Sequence, residues 1–222
     1  MAILKVDTVS GIGTEGTVFE GDITFDSLNY MTLPKGTTTQ SNRGRGMVLG
    51  GIHPEVTRME TYSLISSSNG VEFGTLGSSA IAWGGATGND TRSLIGGGSG
   101  VINTIEYVTV AALGDAVDFG DLTVARRHAG PAGNNTRGLF AGGETAGANT
   151  ITNVVDYVTI ATTGNAADFG DLFQTRGDMS SLSSPTRGVF AGGSTPTYVN
   201  TIDYVTIATT GDASNFGDLN YT

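Results

Sequence analysis

Most of the chain alternates short apolar runs with polar, glycine-rich breaks, and no run carries the i, i+3, i+4, i+7 stripe of an amphipathic helix. In Tyr157-Val158-Thr159-Ile160 and Tyr204-Val205-Thr206-Ile207, Tyr and Thr fall on one face and Val and Ile on the other, which is the two-residue period of a strand. Asn89-Asp90, Asn134-Asn135 and Ser184-Pro185 mark turns before one type of strand. Gly114-Asp115, Gly164-Asn165 and Gly211-Asp212 mark turns before another. The pattern predicts an all-β chain with almost no helix.

The runs belong to four copies of one unit, the kind of internal repetition that decides architecture before local structure does. Each begins R-x-x-x-x-G-G, at Arg45 to Gly51, Arg92 to Gly98, Arg137 to Gly143 and Arg187 to Gly193. An acid follows in a strand-like run (Glu60, Glu106, Asp156, Asp203), and then a Phe-Gly-x-Leu element at Phe73, Phe119, Phe169 and Phe216. Successive arginines are 47, 45 and 50 residues apart, and within a unit the steps from Arg to the second Gly (6), acid to Phe (13) and Phe to Leu (3) never change. Only the stretch from second Gly to acid drifts, at 9, 8, 13 and 10 residues. Fixed steps suit strands locked in register, and a drifting step suits a surface loop. The candidate binding residues therefore sit on or beside these loops: His53, Glu55, Glu144, Asn149 and Tyr198.

Four strands per unit of 45 to 50 residues fit a propeller blade, and the double glycine followed by an acid-aromatic strand, an aromatic packing residue and a late arginine resembles the kelch repeat. The matching residues are Gly142-Gly143, Asp156-Tyr157, Phe169 and Arg176, and one unit earlier Gly97-Gly98, Glu106-Tyr107, Phe119 and Arg126. Thr61 and Ala80 depart from the pattern in the first unit, and Phe stands throughout where tryptophan is usual. The expected fold is a kelch-like β-propeller of about four four-stranded blades over residues 37–222, after a short strand-rich segment at 1–36. Gly51, Gly98, Gly143 and Gly193 would let backbones crowd at an axis, and Phe73, Phe119, Phe169 and Phe216 would fill the space between sheets. With residues 37–44 as a strand leading in, the two ends could pair and close a ring; an open four-blade arc, or one completed by another chain, is the other possibility. The leading arginines Arg45, Arg92, Arg137 and Arg187 are expected to pair with the repeating acids of neighbouring blades, because a half-buried guanidinium needs a bidentate partner, with an anion at the propeller axis as the other reading.

Composition narrows function. A net charge of −10 with two lysines, Lys5 and Lys35, speaks against nucleic acid, which needs clustered cations to displace counterions. No cysteine exists to make a disulfide, a thiolate nucleophile or a zinc–thiolate site. No apolar run is long enough to span a bilayer, so no membrane insertion is expected. Gly11 to Gly16 spells a dinucleotide fingerprint but is followed by a strand-like run, not a helix. Asp118-Phe119-Gly120 and Asp168-Phe169-Gly170 spell a kinase tripeptide without its partners and read as packing residues. The acids at Asp115, Asp118 and Asp121 alternate faces on a strand, which favours turn capping over calcium. His53 and His128 are the only histidines and sit in no catalytic or metal spacing, and some kelch-type oxidases use a cysteine-linked tyrosine that this chain has no cysteine to form. No enzyme activity, cofactor or metal is expected.

The opening MAILKVDTVSGIGTEGTVFEGDITF and the phrases YVTIATTGNAADFGDL and TRGVFAGG resemble repeat proteins among the structural genes of tailed bacteriophages, particularly marine phages of cyanobacteria. That resemblance implies a non-enzymatic virion protein, a tail fibre or spike component that docks to other virion proteins through residues 1–36. It would assemble as a homo-oligomer, a trimer by preference, and display its variable loops to a host-surface glycan or a virion partner. A capsid or tail decoration subunit with no receptor role is the second reading, and a polysaccharide-degrading enzyme the third.

Overall fold

Turn chemistry and strict alternation produce the strands where the pattern places them. The computed structural model describes residues 45–52, 55–64, 69–77, 83–146, 150–195 and 197–220. The expected docking segment, the lead-in strand at 37–44, His53 and Asn149 lie outside the described residues, as does the side chain of Glu55.

All described strands are antiparallel meanders. Sheet I holds β1 (Arg45–Ile52), β2 (Glu55–Ser63) and β3 (Val71–Thr75). Sheet II holds β4 (Gly85–Gly88), β5 (Arg92–Gly96), β6 (Ile102–Thr109) and β7 (Val117–Arg126). Sheet III holds β8 (Gly130–Gly133), β9 (Arg137–Ala141), β10 (Val154–Thr159) and β11 (Ala167–Asp171). Sheet IV holds β12 (Ser180–Ser183), β13 (Arg187–Ala191), β16 (Thr201–Thr206) and β17 (Ser214–Asp218), with a small hairpin of β14 (Ser194–Thr195) and β15 (Thr197–Tyr198) in its variable loop. No helix occurs among the described residues. Sheets II to IV each start one strand before the leading arginine, so the structural unit is offset from the sequence unit.

The invariant Phe-Gly is a β-bulge. Asp156 pairs with Asp168 and Val155 with Gly170, which leaves Phe169 opposite no residue; the same shift falls at Phe73, Phe119 and Phe216. A bulge breaks the alternation of the strand and re-aims one side chain. Here it turns the Phe ring onto the neighbouring sheet. The glycine takes φ of +142° at Gly120 and +139° at Gly170. A Cβ at Gly120 would also lie 2.4 Å from the Gly164 carbonyl oxygen of the next sheet, so only glycine permits this approach.

Three apolar layers join the four sheets. Met59, Phe73 and Leu76 meet Ile95 and Val108; Leu94, Ile105, Phe119 and Leu122 meet Phe140, Val158 and Ile160; Leu139, Val155, Phe169 and Leu172 meet Phe190, Val205 and Ile207. Each sheet thus offers its Phe/Leu face to the opposite face of the sheet that follows. Phe73, Phe119 and Phe169 are 2–3% exposed, each burial contributing roughly 1.5–3 kcal/mol. Phe216 departs from the expected packing role: it is 56% exposed because no described sheet follows sheet IV. Sheets I and IV share no hydrogen bond among the described residues, so the ring closure considered from the sequence is not found there.

Backbone bonds clip the layers at the rim. Gly114 N–H donates to the Phe73 carbonyl and Ala116 N–H to that of Thr75, and the same two bonds recur from Gly164 and Ala166, and from Gly211 and Ala213. The acid or amide in each of these turns caps the sheet before it rather than its own turn, which corrects the turn-capping expectation. Asp115 Oδ1 accepts from Thr75 N–H and Oγ1 at 2.9 Å, Asn165 from Asp121 N–H, and Asp212 from Asp171 N–H. The two bonds from Thr75 hold the Asp115 carboxyl below its ordinary value.

Candidate functional site

Two buried ion pairs bolt the inner half of the junctions. Arg126, at the end of β7, reaches into sheet III, where Nη2 pairs with Asp156 and Nη1 donates to the carbonyls of Val154 (2.8 Å) and Gly142 (3.3 Å). Arg176 repeats this in sheet IV with Asp203 (2.8 Å), Thr201 and Gly192. All four side chains are fully buried. Burial pushes both guanidiniums below their ordinary value, and the facing carboxylates pull them back. The Nε of each arginine has no protein partner, a cost repeated in both junctions. Gly142 lies against the second pair: a Cβ there would sit 2.3 Å from the Arg176 carbonyl oxygen.

The leading arginines do something else. Two of the acids they were expected to hold, Asp156 and Asp203, are taken by the late arginines, Glu106 accepts from the Gly77 N–H instead, and the side chain of Arg45 lies outside the described residues. Arg92, Arg137 and Arg187 stack over Tyr107, Tyr157 and Tyr204 of their own sheets at 4.6–4.7 Å, and Arg92 and Arg137 donate across the junction to the carbonyls of Ile160 and Ile207. Strand register decides this, because each arginine lies diagonally across from its tyrosine on one face.

The two ion pairs differ in the bonds their acids accept. Asp156 also accepts from Thr123 N–H (3.0 Å) and Oγ1 (2.6 Å), whereas at the matching position Asp203 accepts only the Phe173 N–H, and its Oδ1 is buried without a partner. Burial holds the Asp203 carboxyl above its ordinary value, against the pull of Arg176. Phe173 is itself largely exposed. Phe173→Thr is therefore expected to stabilise the protein by about 1 kcal/mol in urea unfolding at neutral pH, by giving Oδ1 a hydroxyl donor. A raised native pKa means that ionising Asp203 opposes folding as pH rises from the unfolded carboxylate value through the native one, so the gain should shrink as pH falls back through that raised native value and Asp203 takes up its proton.

At the entrance to β4, β8 and β12, the first strands of sheets II, III and IV, which lie beside one another, three junctions converge on one cluster. Trp83, His128 and Asp178 precede β4, β8 and β12 and have φ of +66°, +57° and +56°. Positive φ is uncommon for any non-glycine residue and strained for a bulky one. The three are chained by backbone bonds, His128 N–H to the Trp83 carbonyl (3.0 Å) and Asp178 N–H to the His128 carbonyl (3.3 Å). The His128 ring meets Trp83 edge-on at 5.0 Å, and its Nδ1 lies 3.0 Å from Asp178 Oδ1 and 3.9 Å from Glu144 Oε2.

Arg127, next to the buried Arg126, points the other way as strand alternation requires, with its guanidinium 5.3 Å over the Trp83 ring. Its Nε and Nη2 donate to Glu144 at 2.9 and 2.8 Å, a bidentate fork, while the two backbones exchange N–H···O bonds. These bonds hold the Glu144 carboxyl below its ordinary value and raise Arg127 above its own. Glu144 opens the longest variable loop. The result is a half-exposed indole, 43% accessible, that meets a guanidinium and an imidazole, each of them tied to a carboxylate.

Of the binding candidates read from the sequence, Glu144 lies in this cluster and Tyr198 stands exposed on the β14–β15 hairpin; the structure does not bring them together. Trp83, Arg127, His128 and Asp178 were not expected as site residues. At the far end of the inner strands an open groove of about 490 Å³ is lined by Gly88, Asn134, Thr136 and Ser184. Asn134 is spent on its own turn and on the Pro185 carbonyl, which leaves the groove little to offer a ligand. Among the described residues no group of three or more His, Asp or Glu side chains is arranged for a metal, and no helix is long and apolar enough to cross a membrane.

No protein-family model matches the chain, and no curated protein matches it. Among solved structures it is similar to "Structure of YjhT", with a TM-score of 0.67 at 8% identity over 82% of this chain and 64% of that one. At that identity the likeness is one of fold. The class it supports is propeller-like all-β, with four antiparallel sheets that do not close on themselves. The chain spans 64% of the length of that structure.

Proposed function

We propose that the protein is a non-enzymatic structural component of a phage virion, a four-bladed kelch-like propeller arc that recognises a host-surface glycan on the face carrying Trp83. The observation that carries the glycan reading is the convergence of three junctions, each spending a positive-φ residue, on one exposed indole flanked by the Arg127–Glu144 fork. Sugars present C–H faces that stack on aromatic rings and hydroxyls that bond charged planar groups, and a site for them is an apolar platform with a few fixed polar groups. Strain at three aligned positions is the kind of outlier that points to function. The variable loops fit the same role, since they change length on a frame whose other spacings are constant. The virion assignment rests on the resemblance of the opening segment and repeat phrases to phage structural proteins.

Calorimetric titration with host envelope polysaccharide tests the glycan reading. Trp83→Ala and Glu144→Gln are each expected to weaken binding at least about tenfold, the loss of roughly 1.4 kcal/mol, while Tyr198→Ala leaves it unchanged. Equal binding by all three variants would overturn it.

A further inference from the structure

The two ends of the four-sheet array are unsatisfied in complementary ways. In sheets II, III and IV the face that receives the preceding Phe is made by Ile95, Val108 and Val110; Phe140, Val158 and Ile160; and Phe190, Val205 and Ile207, all 0–8% exposed. The same three positions in sheet I are Val48, Tyr62 and Leu64, exposed at 52%, 37% and 62%. At the other end, Phe216 and Leu219 stand where Phe119/Leu122 and Phe169/Leu172 are buried, and they are 56% and 41% exposed. One end lacks a Phe face and the other displays one.

The polar stations match too. In the internal junctions the carbonyls of the Phe and of the residue two beyond it accept from the next sheet's turn, whose Asp or Asn caps the N–H between. On sheet IV the corresponding groups are the carbonyls of Phe216 and Asp218 and the Asp218 N–H. On sheet I the corresponding turn carries Asn69 and Gly70, and Asn165 shows that asparagine performs the cap. Arg187 stacks on Tyr204 as its counterparts do, and the carbonyl matching their acceptors Ile160 and Ile207 is that of Leu64. A Cβ at Gly120 or Gly170 would strike the following sheet, whereas at Gly217 it would meet nothing within 4 Å. Among the described residues, sheet IV is thus an open seat shaped for a sheet of this repeat, and none of them covers the receiving face of sheet I.

From this we infer that the protein associates head to tail with a second copy of itself, the Phe216/Leu219 face of one molecule packing on the Val48/Tyr62/Leu64 face of the next. The contact is heterologous, so it leaves a free seat at each end and propagates until a ring closes or a filament forms. The three internal junctions serve as its template, and nothing in it depends on the glycan site.

Light scattering across a dilution series reads the association on the full chain. Wild-type protein is expected to rise in mass with concentration, and Phe216→Asp and Val48→Asp are each expected to return it to the 22.7 kDa of one chain. Both side chains are exposed in the single molecule, so circular dichroism should show both variants folded. Because the chain has no cysteine, a mixture of Asn69→Cys protein with Asp218→Cys protein isolates the contact. Oxidation is expected to give covalent dimers containing one of each, which the addition of Phe216→Asp suppresses. A wild type that stays monomeric with no mixed disulfide, or an Asn69→Cys/Asp218→Cys chain that oxidises only within itself, would overturn the proposal.

Discussion

Asp156→Ala should cost about 3–5 kcal/mol of folding stability, a large share of the roughly 5–15 kcal/mol that holds a domain together. The reason is the partner left behind. Arg126 is fully buried at the junction of sheets II and III, and without Asp156 its charge has only the Val154 and Gly142 carbonyls to face. Thr123 would lose the acceptor of its N–H and its hydroxyl at the same time. Removing both charges as Arg126→Met/Asp156→Leu should recover much of the loss, since an apolar replacement of a buried pair is often close to neutral. The shortfall that remains would report the two carbonyls that Arg126 caps. Urea unfolding of the three proteins measures this, and a single variant within about 1 kcal/mol of wild type would contradict a buried pair.

The second large effect comes from comparing one residue in two copies of the repeat. Phe169→Ala should destabilise by about 3–5 kcal/mol, through lost burial and the cavity left between sheets III and IV. Phe216→Ala, identical in chemistry and in sequence context, should change stability by less than about 1 kcal/mol in dilute protein, because its ring faces solvent. Thermal or urea melts of the pair decide it. Equal losses would mean that Phe216 is covered within the single molecule.

Those two residues also show what a sequence yields and where it stops. The constant steps from acid to Phe and from Phe to Leu disclose a repeat and strands in fixed register, and the sheets confirm both. The bulge at Phe-Gly interrupts an alternation that the flanking residues suggest is continuous, and its signal in the sequence is the glycine that follows the aromatic in every copy. The exchange of roles between arginines was hidden for another reason. Each junction pair links residues 27 or 30 positions apart, and a unit with both a leading and a late arginine does not say which of them reaches the acid of the next strand run. Diagonal register with tyrosine would have favoured Arg92 and Arg137 for stacking.

The Trp83 cluster was least legible. Its members occupy matching positions, nine or ten residues after the repeat's Phe, but are Trp, His and Asp, so aligning the copies for what they share removes the residues that make the site. Their common property is backbone conformation, φ between +56° and +66°, which no residue type among them announces. Arg127 looked like a neighbour of the conspicuous Arg126, and only the alternation of β7 sends the two to different tasks. Glu144 was reached through the drifting length of its loop, and the fork with Arg127 supplies its physical purpose.

Because Trp83 is the sole tryptophan, its emission reports on the cluster without a label. Titrating the full chain with host envelope polysaccharide should give a saturable shift in that emission, which Glu144→Gln displaces to at least about tenfold higher ligand concentration. Emission that stays constant while calorimetry records binding would place recognition elsewhere on the protein and contradict the glycan site.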